Sequence, residues 1–128
     1  MGVILIGSGC RSTTSKAVPE SSRNLRCIRD AYLKATEKLE RPPANLQELM
    51  PFLKEEGEPD QILRSPEDGQ DYVIHWGADA NANPAVVLAY EKQGKDGRRY
   101  VLWGPIVWFL SDEELKQKPF PPEHPCPL

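Results

Sequence analysis

The stretch that decides the fold is Arg99-Tyr100-Val101-Leu102-Trp103-Gly104-Pro105-Ile106-Val107-Trp108-Phe109-Leu110. Two runs of β-branched and aromatic residues flank a Gly-Pro dipeptide, the pattern of two strands joined by a tight turn. A two-residue turn fixes the register. Trp103 then faces Ile106, Leu102 faces Val107, Val101 faces Trp108 and Tyr100 faces Phe109. Opposed residues share a sheet face. One face therefore carries Tyr100, Leu102, Val107 and Phe109. The other carries Val101, Trp103, Ile106 and Trp108.

Upstream of this hairpin the strand pattern continues. Asp71–Trp76 alternates, with Tyr72, Ile74 and Trp76 on one side and His75 on the other. Ala85–Glu91 is rich in Val, Leu and Tyr. Gln93–Arg98 holds Gly94 and Asp96-Gly97, a hairpin-like connection. Before the strands the period changes. Leu25, Ile28, Tyr32, Ala35 and Leu39 recur at three- and four-residue spacing, which predicts an amphipathic helix over 21–40 with Ser21 or Ser22 as its N-cap. Arg41-Pro42-Pro43 ends it. A second, short helix is predicted over Leu46–Glu55, capped by Asn45 and backed by Glu48, with Pro51 a point where it could break. Ser111 followed by Asp112, Glu113 and Glu114 predicts a last short helix. Helices before strands, with short connections between strands, predict an α+β fold: an N-terminal amphipathic helix packed on a three- to four-stranded antiparallel sheet.

Composition narrows the functional classes. The 128 residues make one domain, with 39% hydrophobic and 27% charged residues. A net charge of −3 gives no phosphate-neutralising surface, so no nucleic-acid partner is expected. The organisation predicted is a truncated signal, lipid anchor and tether over 1–20, the α+β domain over 21–117, and a Pro-rich tail over 118–128. Val3–Ile6 is apolar, Gly7-Ser8-Gly9 is small, and Cys10 follows, an order similar to the end of a bacterial lipoprotein signal. On that reading Cys10 is lipidated and Arg11–Lys16 is a polar tether. The other reading is an N-terminal tail with an incidental Cys. Cys27 and Cys126 are left as a pair that an oxidising compartment could bridge, or as two separate thiols.

Little else offers chemistry. His75 stands alone in a strand, and Asp68, Asp71 and Asp79 lack the spacing of a cation loop. No metal and no cofactor are expected. The feature with more to say is the Val101/Trp103/Ile106/Trp108 face. The 21–40 helix can cover only one side of the sheet, so this second apolar face needs the Pro-rich tail or a partner over it.

The order of elements resembles the periplasmic domain of type II secretion pseudopilins and the related pilin-like proteins with a C-terminal Asp-Gly motif. The resemblance rests on Arg41-Pro42-Pro43-Ala44-Asn45-Leu46-Gln47-Glu48-Leu49, on Ser65-Pro66-Glu67-Asp68-Gly69-Gln70-Asp71-Tyr72-Val73, on Val87-Leu88-Ala89-Tyr90-Glu91, and on Tyr100–Trp103 with Val107–Glu114. The resemblance departs at the final turn, where Gly104-Pro105 stands in place of Asp-Gly, and the calcium-site acids of the major pseudopilins have no clear counterparts. It implies a non-catalytic binding or structural module of the bacterial cell envelope, linked to secretion or pilus-like assemblies. Its partner would be an envelope or secretion-system protein, and its membrane contact a lipid on Cys10. The alternative class is a small periplasmic enzyme or metal-binding lipoprotein.

Overall fold

Helix α1, Glu20–Leu39, buries one stripe of an otherwise polar surface. Leu25, Ile28, Tyr32 and Ala35 lose all their exposure there, while Leu39 is only partly buried at the end of the stripe. The computed structural model describes residues 18–128. Ser21 and Ser22 are not the N-cap. Pro19 holds that position without a side-chain bond, and both serines sit buried in the first turn. The Ser21 hydroxyl is engaged by residues far along the chain, which local cap rules do not see.

Helix α1 closes on Glu40 in the left-handed conformation, and Pro42-Pro43 prevents its continuation. Helix α2, Leu46–Glu56, then starts at Asn45, whose side chain accepts from the Glu48 N–H at 3.0 Å. The Glu48 carboxylate reaches back to the Ala44 N–H at 2.7 Å and takes a two-pronged bond from Arg41 at 2.9 and 2.7 Å. Pro51 does not break the helix. Leu49 and Leu53 point into the core beside α1. A short helix α3, Pro59–Ile62, forms where only a turn is evident in the sequence, with Pro59 at its start.

Four strands follow: β1 Val73–Ile74, β2 Val87–Tyr90, β3 Arg98–Trp103 and β4 Ile106–Ser111. They form an antiparallel meander in chain order. The fold is α+β, with α1 packed against this sheet. The β3–β4 register is the one the Gly104-Pro105 turn dictates, from Trp103 opposite Ile106 to Tyr100 opposite Phe109. The segment 71–76 pairs with the sheet less than its alternation suggests. Only Val73 and Ile74 belong to the ladder, because Asp71 bridges to Arg64 and the Tyr72 N–H bonds Leu63. A bulge between Val87 and Ala89 shifts the β2–β3 register.

The sheet separates two apolar clusters. On the α1 side lie Tyr72, Ile74, Ala89 and Leu102, joined by partly buried Trp76, Tyr100 and Val107. On the other lie Val87, Tyr90, Val101 and Leu110. That second side is closed by Leu115 from helix α4, Asp112–Lys116, and by Phe120 from the tail. Ser111 caps α4 in a full capping box with Glu114. Among the described residues, no helix is long and apolar enough to cross a membrane.

Candidate interaction face

Gly104 has φ +65° and Pro105 can only have a negative φ, the positive-then-negative order of a tight II′-type hairpin turn. A side chain at 104 would also come within 3.3 Å of the Ala85 Cβ. This turn places Trp103 and Trp108 on one face, with ring centres 5.5 Å apart. The Trp103 indole N–H donates to the Ala85 carbonyl at 3.1 Å, which orients that ring against β2. The Lys118 ammonium lies 4.5 Å from the Trp103 ring centre and 5.9 Å from that of Trp108.

The four residues expected to form a partner-binding face do not share one fate. Ile106 and Trp108 remain 53% and 38% exposed. Trp103 is half-buried. Val101 is fully buried, which removes it from any accessible surface. The reason is cover in cis: α4 and the tail pack over the inner part of this face. Of the two covers left open by the sequence, the tail closes the β2–β3 half, and the β4 half stays open.

Phe109 joins the open half from the opposite face. It was expected under the helix, yet it is 47% exposed, because the helix layer seals Leu102 and covers Val107 only in part. Its ring lies 4.5 Å from Tyr100 and 5.7 Å from the Arg98 guanidinium. The exposed strip of β4 therefore spans both faces: Ile106 and Trp108, beside Lys118, on the tail side, and Phe109, beside Arg98, on the helix side. Position along the edge strand, rather than face, was the signal that identifies Phe109.

β4 is also an edge strand of the sheet, β1 being the other. Its outward main chain is partly occupied. Arg98 donates to the Phe109 carbonyl at 3.4 Å, and the Ser111 N–H donates to the Glu114 carboxylate at 2.9 Å. Such blocking is how edge strands avoid pairing with another strand. Contact at this strip is thereby directed to the side chains.

A second polar centre lies inside the domain, and sequence reasoning missed it. Glu91, just past β2, is fully buried. Its carboxylate accepts from the Ser21 and Ser65 hydroxyls, each at 2.5 Å, and from the Tyr100 N–H at 2.7 Å. The Tyr72 hydroxyl is 2.7 Å from Ser21 Oγ and takes a bond from Asn24 at 3.3 Å. Burial pushes the Tyr72 hydroxyl up to about 12. Ser21, Ser65 and Glu91 have no exposed surface, so this is a clamp between α1, the 65–70 turn and the sheet.

The remaining candidates are placed as follows. His75 points to the tail side and is 3% exposed, enclosed by Tyr90, Phe120 and His124. Asp68 accepts from the Gln70, Gln93 and Gly94 N–H groups at 2.8–2.9 Å and so ties two turns together. Asp79 accepts from the Asn81 N–H at 2.9 Å, and Asp71 lies 3.9 Å from Arg64. Among the described residues, no group of three or more His, Cys, Asp or Glu side chains could hold a metal ion. Cys126 is a free thiol in the tail, so the Cys27–Cys126 bridge is not formed; Cys27 lies buried on α1. Cys10 and its lipidation lie outside the described residues.

Comparison with protein-family models, with curated proteins and with solved structures finds no match for this chain.

Proposed function

We propose that this chain is a non-catalytic, pilin-like interaction module of the bacterial cell envelope, tethered by a lipid on Cys10 and engaging an envelope or secretion-system protein through β4. The observation that carries the reading is the exposure of Ile106 and Trp108 on one face of the edge strand β4, beside Lys118, and of Phe109 on its other face, beside Arg98. Exposed aromatic side chains and an arginine beside one of them are features of protein-binding surfaces. The helix-then-meander order supports the pilin-like part of the reading. The sealed state of the Glu91 centre supports the non-catalytic part, since a substrate has no route to those hydroxyls.

The test is made in the producing bacterium. A photo-crosslinking residue at position 106 should give one discrete adduct with an envelope protein. Trp108→Ser should remove that adduct while leaving unfolding within about 1 kcal/mol of the parent, as for an exposed position. Cys10→Ser should move the protein from the membrane fraction to the soluble one. Absence of an adduct, or its persistence in Trp108→Ser, defeats the partner-binding reading; identical fractionation of both forms defeats the anchor.

A further inference from the structure

We propose that residues 118–124 form an acid-released strap over the inner sheet face, with His75 and His124 as its latch. The strap is held at three points. The Val87 N–H donates to the Pro119 carbonyl at 2.8 Å. Phe120 packs its ring 5.5 Å from His75 and 6.1 Å from Tyr90. His124 lies flat on His75, with ring centres 4.8 Å apart and planes 17° from parallel.

The two imidazoles have their protons assigned by their partners. His75 Nδ1 is 2.7 Å from the Val87 carbonyl, and His124 Nε2 is 2.9 Å from the Trp76 carbonyl. A carbonyl oxygen only accepts, so each of these nitrogens carries a hydrogen. The latched state is thus complete with both rings neutral. A further proton on His75 puts a charge against apolar Phe120 and the ring of Tyr90, and protons on both rings set like charges face to face. Release of the tail lets the uncovered side of His75 meet water, so the open state binds a proton there more readily.

The surroundings of His75 do not offset this. Tyr90 from β2 and Phe120 from the tail face the ring, and Tyr90 is held neutral by burial, with Cys126 and Arg99 acting on it. From α1, the Tyr32 hydroxyl donates to the backbone carbonyls of His75 and Ala78, and burial with nearby Asp79 keeps it protonated. Glu123 beside His124 is exposed. Burial pushes His75 below its ordinary value of 6.5; the Val87 carbonyl opposes the shift and a charged His124 adds to it. A group depressed in the closed state gives its full stabilisation above its ordinary pKa and loses it as pH falls through the depressed one. The strap is therefore closed at neutral pH, and its closure weakens progressively as pH falls below the ordinary value of 6.5.

Amide exchange of Val87, followed by NMR on the full chain, reads the strap directly. Between pH 7.5 and 5 its protection factor should fall, by at most about thirtyfold through His75 if that ring has an ordinary pKa in the open state. Ile28 in α1 should stay protected, and the change should reverse on neutralisation. The double variant His75→Asn, His124→Gln keeps an N–H donor at each site and takes up no proton, so its Val87 protection should be flat over this range. Should that variant fail to fold, the ring titration of His75 in the parent decides, because it should lie at or below the pH at which Val87 protection starts to fall. A flat parent profile, a parent-like fall in the double variant, or a His75 ring that titrates above the pH at which Val87 protection starts to fall would each overturn the proposal.

Discussion

Ser21 and Glu91 stand 70 residues apart in the chain and 2.5 Å apart in space. One hydroxyl thereby locks the first turn of α1 to the end of β2. Ser21→Ala removes a donor from a fully buried carboxylate and a partner from the Tyr72 hydroxyl. It should cost about 1–3 kcal/mol in urea unfolding, the penalty for a buried acceptor left short of a bond. A change under about 0.3 kcal/mol would show that the clamp contributes nothing to the fold.

Ile28 tests the opposite kind of contact. Its side chain is fully buried between α1 and the sheet. Ile28→Ala should destabilise the domain by about 2–4 kcal/mol through lost burial and a residual cavity. A shift below about 0.5 kcal/mol would mean that the stripe read from the helical spacing is not the core.

The entry to α2 makes a pH prediction. The Arg41 guanidinium, with the Ala44 N–H beside it, holds the Glu48 carboxyl down to about 2 from its ordinary 4.5. The folded value is the lower one, so the contribution is complete above about 4.5 and is lost as pH falls through about 2. NMR titration of the Glu48 carboxyl should give a midpoint near 2, and Arg41→Ala should move it back toward 4.5. A parent midpoint above 4 would show that the two-pronged bond does not persist in solution.

Truncation separates the two halves of the hairpin face. Deleting 118–128 removes Lys118 from above Trp103 and Phe120 from beside Tyr90. Trp emission should shift to the red and the shortened chain should self-associate, as a freshly bared apolar patch does. Unchanged emission and a monomeric product would mean that the tail does not cover this face.

How much of this was legible in the sequence depends on how far each partner lies along the chain. The β3–β4 register was readable because Gly104-Pro105 sets it within a dozen residues. The α1 stripe was readable for the same reason of local period, and only Leu39, at its end, is less buried than expected. Ser21 was misassigned because its cap-like position is a local signal, while Glu91 and Tyr72, which use it, are not local. Val101 was placed on the right face and yet is inaccessible, because what covers that face arrives from residues 115–120. His75 was read as lone since its stacking partner is 49 positions away, with no motif linking the two.

The tail contact also divides the assembly of the domain into two parts. A chain whose tail has not docked leaves Val87, Tyr90 and Val101 as an uncovered sheet face. Apolar strand surface of that kind is bound by chaperones and aggregates when crowded. Such a chain is complete on its helix-covered side and bare on the other.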